Sequence, residues 1–170
     1  ICSTNSNIPM IRRRIATIAQ HFGKEIDFEE KTYFSFPDPS ALSCSGDHAI
    51  SACKLGYRAP DVLDTACKMA DLKNWERSVN SLPYEDARRQ LMKLAGVGPK
   101  AADCILLFAF QKYEAFPVDV WIRRIMHHNY VKNLNTSSAL TTGEYDTIRR
   151  FAKKHFGEYC GYAQEYLYAA

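Results

Sequence analysis

Lys100 and Asp119 are the residues of this sequence whose types and setting point to chemistry. Lys100 follows Gly96-Val97-Gly98-Pro99, a glycine turn closed by a proline. Proline suits the first helical position, because its missing N–H would be unpaired there. The lysine therefore falls in a first helical turn. Partial positive charge at that end disfavours an ammonium and favours the neutral amine, the form that acts as a nucleophile. Asp119 follows Pro117-Val118 at the start of the next helical pattern and fits an N-cap there. Residues 101–110 between them are apolar densely enough for a largely buried helix. The stretch can thus bring a nucleophilic amine and a charge-stabilising carboxylate to one cleft.

Several elements must hold that pair. Ile8, Ile11, Ile15, Ile18 and Phe22 recur at helical spacing, with Gly23 as a stop and Arg12-Arg13-Arg14 as a solvated charge run. Residues 32–36 alternate like a short strand, and 37–47, rich in Pro, Ser and Gly, read as loop. Residues 48–54 look helical and end before the turn Leu55-Gly56-Tyr57-Arg58. A turn tyrosine and arginine most often serve surface packing, but they also suit insertion into a base stack. Pro60 and Pro83 open further helices, the second running into the glycine turn. A helix, a Gly-x-Gly turn and a second helix can direct backbone N–H groups at a phosphate, although Gly-x-Gly alone also serves plain turns. Residues 120–126 and the spacing of Ile148, Phe151, Ala152 and His155 predict two more helices, with 136–142 a polar loop and Gly157 a stop. Gln164 and Tyr168 share a face of a final segment, 159–168. The sum is an all-α chain of about eight helices with little or no sheet.

Composition narrows the class. With 170 residues and 46% hydrophobic content there is enough chain for a sizeable core. The longest apolar run, 104–110, is far short of the ~20 residues a membrane helix needs, so no membrane partner is expected. Six cysteines without a Cys-x-x-Cys pair favour reduced thiols in an intracellular setting over disulfides, zinc or an iron–sulfur cluster. A net charge of +3 suits an anionic partner without establishing one. The chain starts at Ile1 rather than Met, as an excised part of a longer protein would.

Leu94-Ala95-Gly96-Val97-Gly98-Pro99-Lys100 with Ala102-Asp103-Cys104, and then Pro117-Val118-Asp119-Val120, resemble the helix-hairpin-helix DNA glycosylase superfamily, and within it the 8-oxoguanine DNA glycosylase branch. The stretch from Ile1 through Asn7-Ile8, the turn 55–58, and Tyr162-Ala163-Gln164 with Tyr168 extend the match over almost the whole chain. The resemblance implies two helical lobes, a helix-hairpin-helix motif at about 84–110, and duplex DNA bound in a cleft. It also implies base excision repair in which the damaged nucleotide is flipped out, since an enzyme cannot reach the glycosidic carbon inside a stack.

Carried over by that resemblance, Lys100 is the nucleophile that displaces the oxidised base and then, as a Schiff base, permits β-elimination of the strand. Asp119 stabilises positive charge on the sugar. Gln164 bonds the edge of the flipped base, Cys104 and Tyr168 enclose its two faces, and Phe108 lines the same pocket. Asn5, Tyr57 and Arg58 fill the gap and meet the orphaned cytosine. Gly96, Gly98 and Trp121 belong to the DNA-phosphate contacts, and no cofactor is required, although main-chain oxygens near Met92, Leu94 and Val97 can hold a structural cation.

Two departures stand out: Met10 takes the place of a second cytosine-reading arginine, and Trp121 that of a phosphate-contacting histidine. The family's amino-terminal β-rich domain is not among these residues. The expected partner is double-stranded DNA with 8-oxoguanine opposite cytosine, the expected state a monomer, and the setting the cytoplasm or nucleoid of a prokaryote or the nucleus of a eukaryote. Two rivals are a glycosylase of the superfamily for another oxidised base and a non-catalytic helix-hairpin-helix DNA-binding module. The first lacks the terminal four-cysteine cluster its members often carry, and Asp119 in its motif speaks against the second.

Overall fold

Asn7 accepts a hydrogen bond on Oδ1 from the Met10 N–H at 3.0 Å, and Pro9 lies in the first turn, so α1 (Ile8–Phe22) starts on a capped, proline-compatible end. A computed structural model describes residues 1–131 and 139–169. They form two compact units: Ile1–Ser78 with Leu94–Gly96, and Val79–Lys93 with Val97–Ala170.

In the first unit α1 is followed by an antiparallel hairpin, β1 (Glu25–Phe28) and β2 (Lys31–Phe34), with Glu25 opposite Phe34 and Phe28 opposite Lys31. Glu29 and Glu30 both take positive φ, the twist a two-residue hairpin turn requires. Then come α2 (Pro39–Ser43), α3 (Asp47–Ala52) and α4 (Ala59–Asp71), and Ile18, Leu42, Ile50, Leu55, Val62 and Ala66 close the core. The segment α5 (Trp75–Ser81) carries the chain from one unit to the other.

The second unit contains α6 (Tyr84–Leu91), α7 (Pro99–Phe110), α8 (Val120–Asn129), α9 (Thr142–Phe156) and α10 (Cys160–Ala169). Phe116, Val118, Ile122, Met126, Ile148, Ala152 and Cys160 form its core. At Gly161 the backbone of α10 comes so close to its neighbours that an added Cβ would lie 2.7 Å from the Ala115 carbonyl oxygen and 2.8 Å from that of Tyr113. The Gly161 N–H uses this approach to donate to Tyr113 O at 2.8 Å.

The all-α expectation holds, with one two-stranded sheet and ten α-helices among the described residues rather than about eight. The extra helices, α2 and α5, span only five and seven residues, too brief to show a period. Strand β1 was not foreseen because all four of its residues are exposed, which removes the alternation that marks a half-buried strand. The inner face of α1 is also different from the expected isoleucine stripe. Ile8 and Ile15 are exposed, whereas Arg14 of the supposed solvated run is buried and donates to Cys2 O at 3.2 Å and Ser6 Oγ at 2.7 Å. Gly23 ends α1 in extended rather than left-handed backbone; it is required because a Cβ would collide with the Ser35 carbonyl. Residues 136–138 of the expected polar loop lie outside the described residues, and Thr142 already belongs to α9, capped by Thr141. Among the described residues no helix is long and apolar enough to cross a membrane.

Gly161→Ala is expected to destabilise the protein by ~1–3 kcal/mol, because rigid backbone oxygens meet the new methyl group. Gly143→Ala, where a Cβ meets open space within α9, should be neutral or stabilising by up to ~1 kcal/mol. Urea unfolding of the two variants checks both.

Candidate active site

The hairpin turn is built as its residue types require. Gly96 has φ +69°, and a Cβ there would press on Asp61 at 2.9 Å, so both conformation and space demand glycine. Gly98 is the extended N-cap of α7 and faces open space, Pro99 occupies the first helical position, and Lys100 follows, exposed, in the first turn. Thr65 Oγ1 donates to the Ala95 carbonyl at 3.2 Å and holds the turn on α4.

Asp119 lies at the N-terminus of α8, where its Oδ1 accepts from the Ile122 N–H at 2.8 Å. The carboxylate is thus the cap the sequence led us to expect. Pro99, Lys100, Val118, Leu140, Thr141, Thr142 and Tyr145 border one hollow of about 220 Å³, so the lysine stands beside the residue that immediately precedes Asp119. Cys104 follows Lys100 by one turn along α7 and is half-buried. Burial pushes the Cys104 thiol above its ordinary range, with Lys100 opposing, and Cys104 is therefore a neutral thiol at pH 7.

Beneath Lys100, one turn inward, Asp103 is fully buried, a group that sequence inspection passed over except as part of the motif. Its Oδ1 accepts from Tyr84 Oη at 2.7 Å and Arg88 Nε at 3.0 Å, and its Oδ2 accepts from Tyr145 Oη at 2.6 Å. Arg149 adds a donor to Tyr84 Oη at 3.3 Å. Burial raises the Asp103 carboxyl above the usual range, while the Tyr145 hydroxyl and the Arg88 guanidinium pull it down. Burial, reinforced by the Asp103 charge, pushes Tyr84 and Tyr145 far up, so both remain protonated donors. Periodicity could not reveal this cluster, because a buried polar residue occupies the same helical position as an apolar one.

On α10, Gln164 is 6% exposed, and its buried Oε1 has no hydrogen-bond partner among the described residues. An amide that is buried and unsatisfied is costly unless something else completes it. At Gly161 an added Cβ would lie 2.4 Å from Leu107 Cδ1, so the start of α10 packs directly on α7. Tyr168 is 53% exposed and Phe108 62% exposed, both at the surface of the same unit. Lys100 and the start of the Val118-Asp119 turn are therefore brought together, with Cys104 one turn further along α7 and Gln164 on the helix that packs on α7 at Gly161.

Trp121 is exposed on α8, with the Arg124 guanidinium 5.1 Å from its ring centroid. In the first unit Asn5, at φ +44°, Met10 and Tyr57 are exposed. Arg58 is not. Its guanidinium is buried, donates through Nε and Nη2 to Thr4 O and through Nη2 to Asn5 O at 3.0 Å, and lies 4.2 Å from the Tyr57 ring centroid. Met92, Leu94 and Val97 all lie in the connection between α6 and α7, Val97 between the two glycines of the turn. No group of three or more His, Cys, Asp or Glu side chains able to hold a metal occurs among the described residues.

No protein-family model matches the chain. The probable N-glycosylase/DNA lyase of Methanothermobacter thermautotrophicus is 35% identical, aligned over 99% of this chain and 57% of the relative. The N-glycosylase/DNA lyase of Saccharomyces cerevisiae is 33% identical over 99% of this chain and 52% of its own length. The chain thus spans about half the length of the curated relatives it matches. The crystal structure of Clostridium acetobutylicum 8-oxoguanine glycosylase/lyase, in complex with double-stranded DNA containing cytosine opposite 8-oxoguanine, aligns with a TM-score of 0.85 at 35% identity. That alignment covers 98% of this chain and 55% of the other. These relatives, together with a lysine on the second position of a hairpin helix and an aspartate capping the next helix, show that the chain belongs to the helix-hairpin-helix DNA glycosylase superfamily. Inside that class its similarity runs to the N-glycosylase/DNA lyases.

The cap and the charge of Asp119 are separable. Asp119→Ala should cost ~1 kcal/mol in thermal or urea unfolding, whereas Asp119→Asn, an equally good cap, should stay within about a few tenths of wild type.

Proposed function

We propose that the chain carries the catalytic core of a bifunctional DNA glycosylase and β-lyase that removes 8-oxoguanine from duplex DNA. The observation that carries this is the hollow shared by Lys100 and Val118, which puts an amine next to the residue preceding a capping carboxylate. The similarity to N-glycosylase/DNA lyases supports the same chemistry.

In the proposed reaction the neutral Lys100 amine attacks the anomeric carbon of a flipped deoxyribose. The bond to the base breaks, and the base leaves with its electron pair. Asp119 offsets the positive charge that develops on the sugar. Ring opening then gives a lysine Schiff base, which acidifies the adjacent carbon, and loss of that proton expels the 3′ phosphate. A water-using glycosylase has no need of the lysine.

Gln164 supplies the base-recognition amide, whose buried unpaired oxygen awaits a donor such as the edge of a flipped base. Cys104 and Tyr168 take its two faces, with Phe108 at the margin. Asn5, Met10 and Tyr57 serve the vacated gap and the opposite base, with Arg58, turned onto the Thr4 and Asn5 carbonyls, bracing them from beneath, and Gly96, Gly98 and Trp121 serve the phosphates. The Gly98 Cβ position faces open space, which leaves room for a phosphate at the start of α7. Carbonyls of Met92, Leu94 and Val97 are hard oxygen donors of the kind that suit a group 1 or group 2 cation, which would brace the turn. Residues 1–170 are assigned to the helix-hairpin-helix core, acting as a monomer on DNA with the lesion opposite cytosine.

Borohydride should trap a covalent complex between the protein and a duplex containing 8-oxoguanine, and Lys100→Gln should abolish it. Binding without any trapping would refute the lyase. In single-turnover assays Asp119→Asn should slow base release about a hundredfold or more with little change in DNA affinity. Excision opposite each of the four bases should show a shallow preference, since Met10 offers no hydrogen bond to the opposite base. A strict need for cytosine would contradict that role.

A further inference from the structure

Lys100 and Asp119 sit on different elements, separated by the loop 111–118, so something must fix one against the other. That loop is tied down at several points. Cys160 Sγ donates to Glu114 O at 3.2 Å, Gly161 N to Tyr113 O at 2.8 Å, and Lys112 N to Leu106 O at 2.9 Å. These ties anchor its first half. At its end the buried Val118 N–H donates to Tyr145 Oη at 3.3 Å, and the same hydroxyl donates to Asp103 Oδ2 at 2.6 Å.

We infer that Tyr145 is a positioning residue for catalysis: its hydroxyl is a two-bond strut from the helix that carries Lys100 to the residue that precedes Asp119. Asp103 lies one turn beyond Lys100 on α7, and Val118 adjoins Asp119, so the strut joins a residue three positions from the amine to the neighbour of the carboxylate. The strut also borders the hollow that Lys100 lines.

Satisfying the buried Asp103 carboxylate accounts for one of the two bonds of this hydroxyl but not for the one it accepts from the Val118 N–H. Tyr145 stands among Phe116, Val118, Ile122, Met126 and Ile148, where a phenylalanine would fill the same space. Burying the Asp103 carboxylate is costly, and apolar packing commonly stabilises a helix interface as well or better. What an apolar contact cannot supply is a fixed distance and direction at both ends of one oxygen atom. A shift of about 1 Å in a reacting group can cost a hundredfold in rate.

The inference rests on the proposed glycosylase reading, and one mutant cycle tests them apart. Wild type, Tyr145→Phe, Asp119→Asn and the double variant are compared in single-turnover excision from an 8-oxoguanine duplex, with DNA binding and thermal unfolding measured alongside. Tyr145→Phe should lower the excision rate by roughly tenfold to a hundredfold while changing DNA affinity less than about twofold. In the Asp119→Asn background the same substitution should cost about twofold or less, because the tyrosine acts through the aspartate. A wild-type rate for Tyr145→Phe, or an equal loss in both backgrounds, overturns the inference. Inactive wild type on every lesion instead overturns the glycosylase reading and the inference with it. If Tyr145→Phe does not fold, Asp103→Asn breaks the strut at its other end and enters the same cycle. Hydrogen exchange at the Val118 amide reads the tether without reference to activity: protection in wild type and its loss in the variant are expected, and fast exchange in wild type refutes the strut.

Discussion

A buried carboxylate that cannot meet water organises the second unit. Asp103 recruits donors from α6 through Tyr84 and Arg88 and from α9 through Tyr145. An unpaired carboxylate in that setting would cost several kcal/mol, so the three donors are obligatory partners of the residue that precedes Cys104. Their geometry fixes how the hairpin helix is gripped on both flanks. The apolar core of Phe116, Ile122, Met126 and Ile148 supplies cohesion, but it is non-directional. Direction comes from the carboxylate.

A second ion pair works in the same way at the start of the neighbouring helices. Arg123 Nε and Nη2 meet the two Glu144 oxygens at 2.5 and 2.7 Å, both side chains almost buried, so the first turns of α8 and α9 are clamped. The cap formed by Asp119 is therefore seated on a helix that cannot easily rotate. Residues on the solvent side of α8, such as Trp121 and Arg124, are freed from packing and present a cation stacked near an indole face.

Much of the layout is legible in the residue types alone. Pro99 after Gly98 gave the start of α7, Asp119 after Pro117-Val118 gave the cap of α8, and Gly157, with φ +76°, the end of α9. These are local constraints, written in residue types that tolerate few alternatives. Non-local facts were hidden. Arg14 looks like part of a charge run, and its burial depends on the carbonyl of Cys2 and the hydroxyl of Ser6. Tyr145 looks like any core aromatic, and Asp103 like any polar residue of a motif, because the bonds that define them join positions far apart in sequence. Strand β1 was invisible for another reason: its residues are held by the ladder and the turn, without a buried face to impose a pattern. Gln164 was recognised by resemblance, but that its amide would be buried with an unpaired oxygen follows from the packing of α10.

The buried guanidinium of Arg58 couples the backbone at Asn5 to the Tyr57 ring, two places that the sequence presents as independent. Its donors grip the carbonyls of Thr4 and Asn5 while its plane lies against the Tyr57 ring. Asn5 and Tyr57 consequently share one mount, and neither can be displaced without straining the other. The conformational entropy of bringing the Asn5 backbone and an aromatic ring to a common address is lost once, during folding.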